Sequence, residues 1–148
     1  MKRMLGLVLA VILAGAIAGA SQASTANPSP LSGALHVTKE CSEHNGQAGD
    51  FCTITSSNLR AIPAGSRVFY MEAAGAEGLD SDVVLYTGRG NAALGHVTLS
   101  FATLSGPITF RGGSGRFQNF RANALVTFDP ETNLWRWDGT YGFGGGRD

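Results

Sequence analysis

Glu72 is the carboxylate of this chain best placed by pattern for acid–base chemistry. The segment Arg67–Ala73 (RVFYMEA) reads as a strand on which Glu72 shares a face with Val68 and Tyr70. If that face turns inward, desolvation raises the carboxyl pKa, and a protonated acid in an apolar pocket can shuttle a proton. The plainer reading is a strand-end carboxylate in water. Tyr70, Tyr86 and Tyr141 offer hydroxyls that could orient a ligand, although a buried Tyr more often bonds to backbone. The histidines His36, His44 and His96 fall on separate elements, and His96 sits on a polar strand face. Cys41, His44 and Cys52 lack a fourth ligand at zinc-like spacing, so no metal is expected. No cofactor is expected either. Gly113-Ser114-Gly115 has no helix behind it to build an oxyanion hole or to hold a phosphate, which argues against a hydrolase and a phosphate loop.

These residues need a scaffold, and the stretch Gly106–Phe128 (GPITFRGGSGRFQNFRANALVTF) says most about it. Ile108–Arg111 reads as a strand, Gly112-Gly113-Ser114-Gly115 as a turn, and Phe117–Phe128 as a long returning strand. Leu35–Glu40, Phe51–Ser56, Arg67–Ala73, Asp82–Thr87, His96–Ala102 and Leu134–Phe143 add further strands, with Gly, Pro, Asn and Asp between them. About eight short strands without a convincing helix point to an all-β sandwich or barrel. A closed sheet removes its edges and leaves an interior just wide enough for one small ligand, which favours an eight-stranded antiparallel closed barrel, calycin-like in outline.

The chain opens Met1-Lys2-Arg3, runs apolar from Met4 to Ala20, and reaches Ser21-Gln22-Ala23. A basic start, a short apolar run and small residues before a cut describe a secretory signal peptide over 1–23, with Ala20 as an alternative cleavage point. The run falls short of the about 20 apolar residues of a membrane span, so no stable anchor is expected after cleavage. Residues 24–32 read as a flexible lead-in, 33–143 as one domain and 144–148 as a frayed tail. The chain after the lead-in, about 115 residues, suits one domain and would leave a second starved of core. Removing Lys2 and Arg3 from eleven basic residues leaves nine against eleven Asp and Glu, a net charge of −2. That balance weighs against a nucleic-acid binder, which would need a basic face. Lys39 is the lone lysine left, beside eight arginines. The two cysteines, Cys41 and Cys52, fall in the exported part and are expected to form a disulfide in a secreted, extracellular or periplasmic protein.

Alternation sorts the faces of the later strands. Phe120, Ala122, Ala124, Val126 and Phe128 share one face of the returning strand. Trp135, Trp137, Tyr141 and Phe143 share one on the last strand, and Val97, Leu99 and Phe101 one on His96–Ala102. Charges and hydroxyls occupy the opposite faces, so the apolar sets point inward. Tyr70, Phe101, Phe120, Phe128, Trp135, Trp137 and Tyr141 are therefore expected to line an apolar lumen, with room made by the small Ala122 and Ala124. The competing expectation is a solid core made of the same side chains. Asp82–Thr87 is apolar on both faces, which fits either a subunit interface in a homo-oligomer or a covering segment.

The run Ile108–Phe117 (ITFRGGSGRF) resembles the strand–GG(S/T)G–x–F hairpin of plant allene oxide cyclases and the related dirigent proteins. Gly95-His96-Val97 and Gly49-Asp50 are similar to further short matches in the same order. The resemblance implies an eight-stranded antiparallel barrel with a ligand-holding interior, and the chain looks closer still to small exported bacterial members of that superfamily. The cyclases use a glutamate on the first strand, with an asparagine nearby and an ordered water. Aligned on Leu35–Glu40, that position falls near His36 or Thr38, and on Glu40 only with a shift, so the cyclase activity is not carried over. Three functions remain: a carrier of a small apolar molecule, a cyclase- or isomerase-like enzyme acting in the same lumen, and a filled-barrel structural or interaction protein. An inward Glu72 or Glu40 would favour the enzyme, and a lumen without room would favour the third.

Overall fold

A computed structural model describes residues 31–144. The expected signal peptide over 1–23 lies outside the described residues, as do the lead-in before Leu31 and the tail beyond Gly144. Eight strands follow in order: β1 (Ser32–Glu40), β2 (Phe51–Ser57), β3 (Arg67–Tyr70), β4 (Gly78–Gly88), β5 (Asn91–Ser100), β6 (Ser105–Ser114), β7 (Phe120–Asp129) and β8 (Leu134–Phe143). Each pairs antiparallel with the next, and β8 returns to β1 to close the barrel. The only helical element described is a short 3-10 turn, Gly115–Phe117. Closure leaves no free edge, and it places alternate side chains of each strand inside. Leu35, Val37 and Lys39 of β1 are buried in this way, as are Phe120, Ala122 and Val126 of β7 and Trp137 and Tyr141 of β8.

The two ends of the barrel are built differently. At the end where β6 passes to β7, four phenylalanines fill the lumen. Phe117 meets Phe120 at 5.2 Å between ring centres, Phe120 meets Phe143 at 5.0 Å, and Phe110 meets Phe120 at 5.9 Å. Leu59 and Ile62, from the link between β2 and β3, are buried at this same end. The opposite end carries the β1–β2 loop, the β3–β4 link and the turns after β5 and β7. There the Cys41–Cys52 disulfide ties the end of β1 to the start of β2.

Several boundaries differ from the sequence reading. β3 stops at Tyr70, so the strand expected over Arg67–Ala73 is shorter and Glu72 lies in the link to β4. β6 runs through Gly112 and Gly113 to Ser114, and the chain reverses over residues 115–119 rather than at Gly112–Gly115. The glycines serve close approach instead. Gly113 has φ +156° and pairs with Ala93, and a Cβ there would run into the Ala92 carbonyl oxygen. Gly115 has φ +59° and would meet the Asn91 side chain, whose amide oxygen accepts the Arg116 N–H. Gly113→Val is therefore expected to lower stability by more than about 2 kcal/mol, because backbone rather than a mobile side chain must give way. Urea unfolding checks this, and an unchanged midpoint would show that the strands can part there at no cost.

Candidate functional site

β1 sets the site. Its inward face reads Leu35, Val37, Lys39, and the pleat that buries two aliphatic residues carries the lysine inside with them. Lys39 is 4 % exposed. Its Nζ donates to Tyr70 Oη at 2.6 Å, and lies 3.5 Å from Cys41 Sγ and 3.7 Å from Cys52 Sγ. The rings of Tyr70, Trp135 and Trp137 stand 5.2, 5.5 and 6.0 Å from it. No carboxylate among the described residues is within ion-pairing distance of this amine. Burial without a counter-charge penalises the ammonium form, and it brings the Lys39 pKa down to about 7. Near neutral pH a large share of this side chain is thus a free amine, which is both a base and a nucleophile.

Tyr70 ends β3 directly across from the amine. Burial pushes its phenol well above the ordinary range, so it stays protonated and acts as donor or acceptor. His44 comes from the β1–β2 loop and stacks edge-on to Tyr70 at 4.7 Å. Its pKa is lowered, first by burial and then by the Lys39 charge, which keeps the imidazole neutral. Its Nε2 is buried and makes no hydrogen bond within the described chain, and the indole N–H of Trp137 is in the same condition. The loop that delivers His44 is pinned by backbone. The Asp50 carboxylate accepts the N–H groups of Asn45 and Gln47, and Gly49 N–H reaches the Tyr70 carbonyl.

These groups face a cavity of about 340 Å³ at the disulfide end of the barrel. Leu79, Val97, Leu99, Ile108, Val126, Trp135 and Trp137 make its apolar walls, and Lys39, Tyr70 and His44 supply its polar groups. Phe101, 37 % exposed, stands at its edge. An apolar hollow of this size with a few convergent polar groups has the form of a small-molecule site.

The sequence-predicted residues divide along the barrel axis. Tyr70, Phe101, Trp135 and Trp137 line the cavity. Phe120, Ala122 and Tyr141 are buried but belong to the packed core, and Ala124 packs against that core half-buried. Ala122 and Ala124 therefore do not make the room. Phe128 borders a smaller hollow of about 190 Å³ with Glu40, Cys41 and Trp135. Neither expected carboxylate lines the cavity of Lys39 and Tyr70. Glu72 is exposed beyond the strand end, where its carboxylate accepts the Asp82 N–H at 2.6 Å and the Ser81 hydroxyl at 2.9 Å. Glu40 points outward and accepts the Ser42 hydroxyl and N–H, which hold its pKa below the usual carboxylate range. Sequence reasoning missed His44 as a site residue and, beside it, Lys39. The signals of Lys39 were the L-x-V-x-K alternation and its standing as the lone lysine after the expected cleavage point.

Other polar clusters lie on the outer wall. His36 pairs with Asp138 at 2.7 Å, and His96 with Asp80 at 2.6 Å and Asp82 at 2.8 Å. Hydrogen bonds to Asp82 and then Asp80 raise the His96 pKa. Arg136 and Asp138 approach at 3.9 Å, an exposed pair that contributes little. Among the described residues no cluster could hold a metal ion, and no helix is long and apolar enough to cross a membrane. The disulfide is compatible with an oxidising extracellular or periplasmic location. Compared with known protein families, curated proteins and solved structures, the chain matches none.

Proposed function

We propose that this is a secreted barrel protein that holds a small, mainly apolar molecule carrying one polar group, with that group set against Lys39 and Tyr70. The observation that carries the reading is a single buried amine opening onto a cavity of about 340 Å³ whose walls are otherwise largely aliphatic and indole. Burying a ligand's apolar surface there supplies affinity, and the amine and phenol fix its orientation. Export rests on the basic–apolar–small pattern of residues 1–23 and on the disulfide. Membership of the allene oxide cyclase and dirigent-like superfamily is part of the same proposal, supported by the Ile108–Phe117 residues and by the barrel they belong to.

Dye binding tests the reading. The neutral apolar dye N-phenyl-1-naphthylamine is expected to brighten on binding the protein, and Val97→Phe, which adds a ring to the cavity wall, to abolish the effect while leaving the urea midpoint near that of the parent. In a filled barrel the same change would overpack the core and destabilise it by about 1–3 kcal/mol. A parent that fails to bind the dye, together with a variant that loses that much stability, overturns the ligand-holding reading. An enzyme acting in the same lumen is the second reading, and the free amine beside a phenol is what favours it.

A further inference from the structure

We propose that Lys39 forms a reversible Schiff base with the aldehyde or ketone carbonyl of a small apolar ligand held in the cavity. The inference rests on the ligand-holding reading above and names the ligand's reactive group. Three features of the site meet the needs of imine chemistry. Lys39 is the only lysine among the described residues, and it is buried with no carboxylate to hold it as an ammonium ion. Burial lowers its pKa, so the nucleophilic lone pair is present at neutral pH. The Tyr70 hydroxyl lies 2.6 Å from Nζ, in reach of an oxygen on a carbon bonded to that nitrogen.

The chemistry balances without an oxidant or reductant. The Nζ lone pair attacks the carbonyl carbon and forms a C–N bond, while the carbonyl electron pair moves to oxygen. That oxygen takes a proton, nitrogen gives one up, and a carbinolamine results. The C–O bond then breaks as the Tyr70 phenol donates a proton to the departing oxygen. The nitrogen lone pair closes the C=N bond, water leaves, and the iminium N–H returns the proton to Tyr70. The sum is an amine and a carbonyl giving an imine and water. His44, neutral and with Nε2 unbonded, is the second group beside Tyr70 able to relay a proton. Apolar walls from Leu79, Leu99 and Trp137 disfavour the returning water and the charged amine alike.

The opposing interpretation is that Lys39 serves as an ammonium ion pairing with an anionic ligand. Treating the protein with cinnamaldehyde and sodium cyanoborohydride at pH 7 separates the two. The expected result is one adduct per chain, heavier by the aldehyde less one oxygen atom, and peptide mapping should place it on Lys39. Labelling there should run at least tenfold faster than at the chain's α-amine, and prior loading with N-phenyl-1-naphthylamine should block it. Tyr70→Phe is expected to slow labelling at least tenfold, and Lys39→Arg to abolish it. Should Tyr70→Phe fail to fold, dye protection of the parent still decides the matter. Dye binding without preferential labelling of Lys39 overturns the Schiff base and leaves the cavity reading standing. So does displacement of the dye by hexanoate without an adduct. Loss of both dye binding and labelling overturns the two together.

Discussion

Lys39→Met is expected to raise the urea midpoint of the protein in acid and to lower it above pH 10. The sign follows from the direction of the shift. A free lysine titrates near 10.4, whereas in the folded barrel burial brings Lys39 down to about 7. Between those values the unfolded chain binds a proton that the native chain does not, so stability of the parent rises with pH across that window. Below pH 7 both states carry the charge, and the native state holds it in the cavity wall at a cost on the order of 4 kcal/mol. Methionine removes that cost and fills similar space. It also removes the partner of the Tyr70 hydroxyl, a loss of about 1–3 kcal/mol that does not depend on pH in this range. The difference in slope between parent and variant from pH 7 to 10 is therefore the cleaner measurement. Equal slopes would mean that Lys39 keeps its proton in the fold.

Replacing both Cys41 and Cys52 by Ala is expected to cost roughly 3 kcal/mol in the chain-entropy view of a loop this short, and to lower Tm by roughly 10 °C. The bond closes the β1–β2 loop, and that loop supplies His44 and Gly46 to the cavity wall. Dye affinity should weaken as well, because the disulfide sulfurs themselves stand beside Lys39 Nζ. The loop keeps its backbone anchors at Asp50 and Tyr70, so the fold should survive. Differential scanning calorimetry and dye titration of the double variant check both effects. A Tm within a degree or two of the parent would show that those anchors alone define the loop.

The barrel was legible because period-2 alternation survives wherever one face is wet. Phe120 to Phe128 and Trp135 to Phe143 announce their inward faces, and the structure buries Phe120, Ala122, Val126, Trp137 and Tyr141 while leaving Ala124, Phe128, Trp135 and Phe143 half-buried. Height along the axis was not legible. Ala122 and Trp137 sit on equally inward positions and both pack in the core, yet only Trp137 also reaches the cavity wall, because strand tilt decides which layer each residue reaches. Glu72 was misplaced by counting the alternation past Tyr70, where the ladder stops. Lys39 was readable in principle, since β1 alternates through it, but lysine is so seldom buried that pattern yields to composition unless the exception is sought. His44 was weighed only as a metal ligand with Cys41 and Cys52, and its place beside Tyr70 was not legible, because no periodicity governs how a polar loop folds back over a barrel mouth.

The order of strands around the barrel follows the order of strands along the chain, and only the β1–β8 seam joins distant segments. That seam runs through the site: Lys39 is paired with Trp135, and Val37 with Trp137, so the amine and both indoles belong to the first and last strands. Neighbouring hairpins can assemble in any sequence and still leave the hollow without one of its walls. A molecule lodged between Lys39 and the tryptophans would touch both sides of the seam at once, acting as a clasp between the first strand and the last.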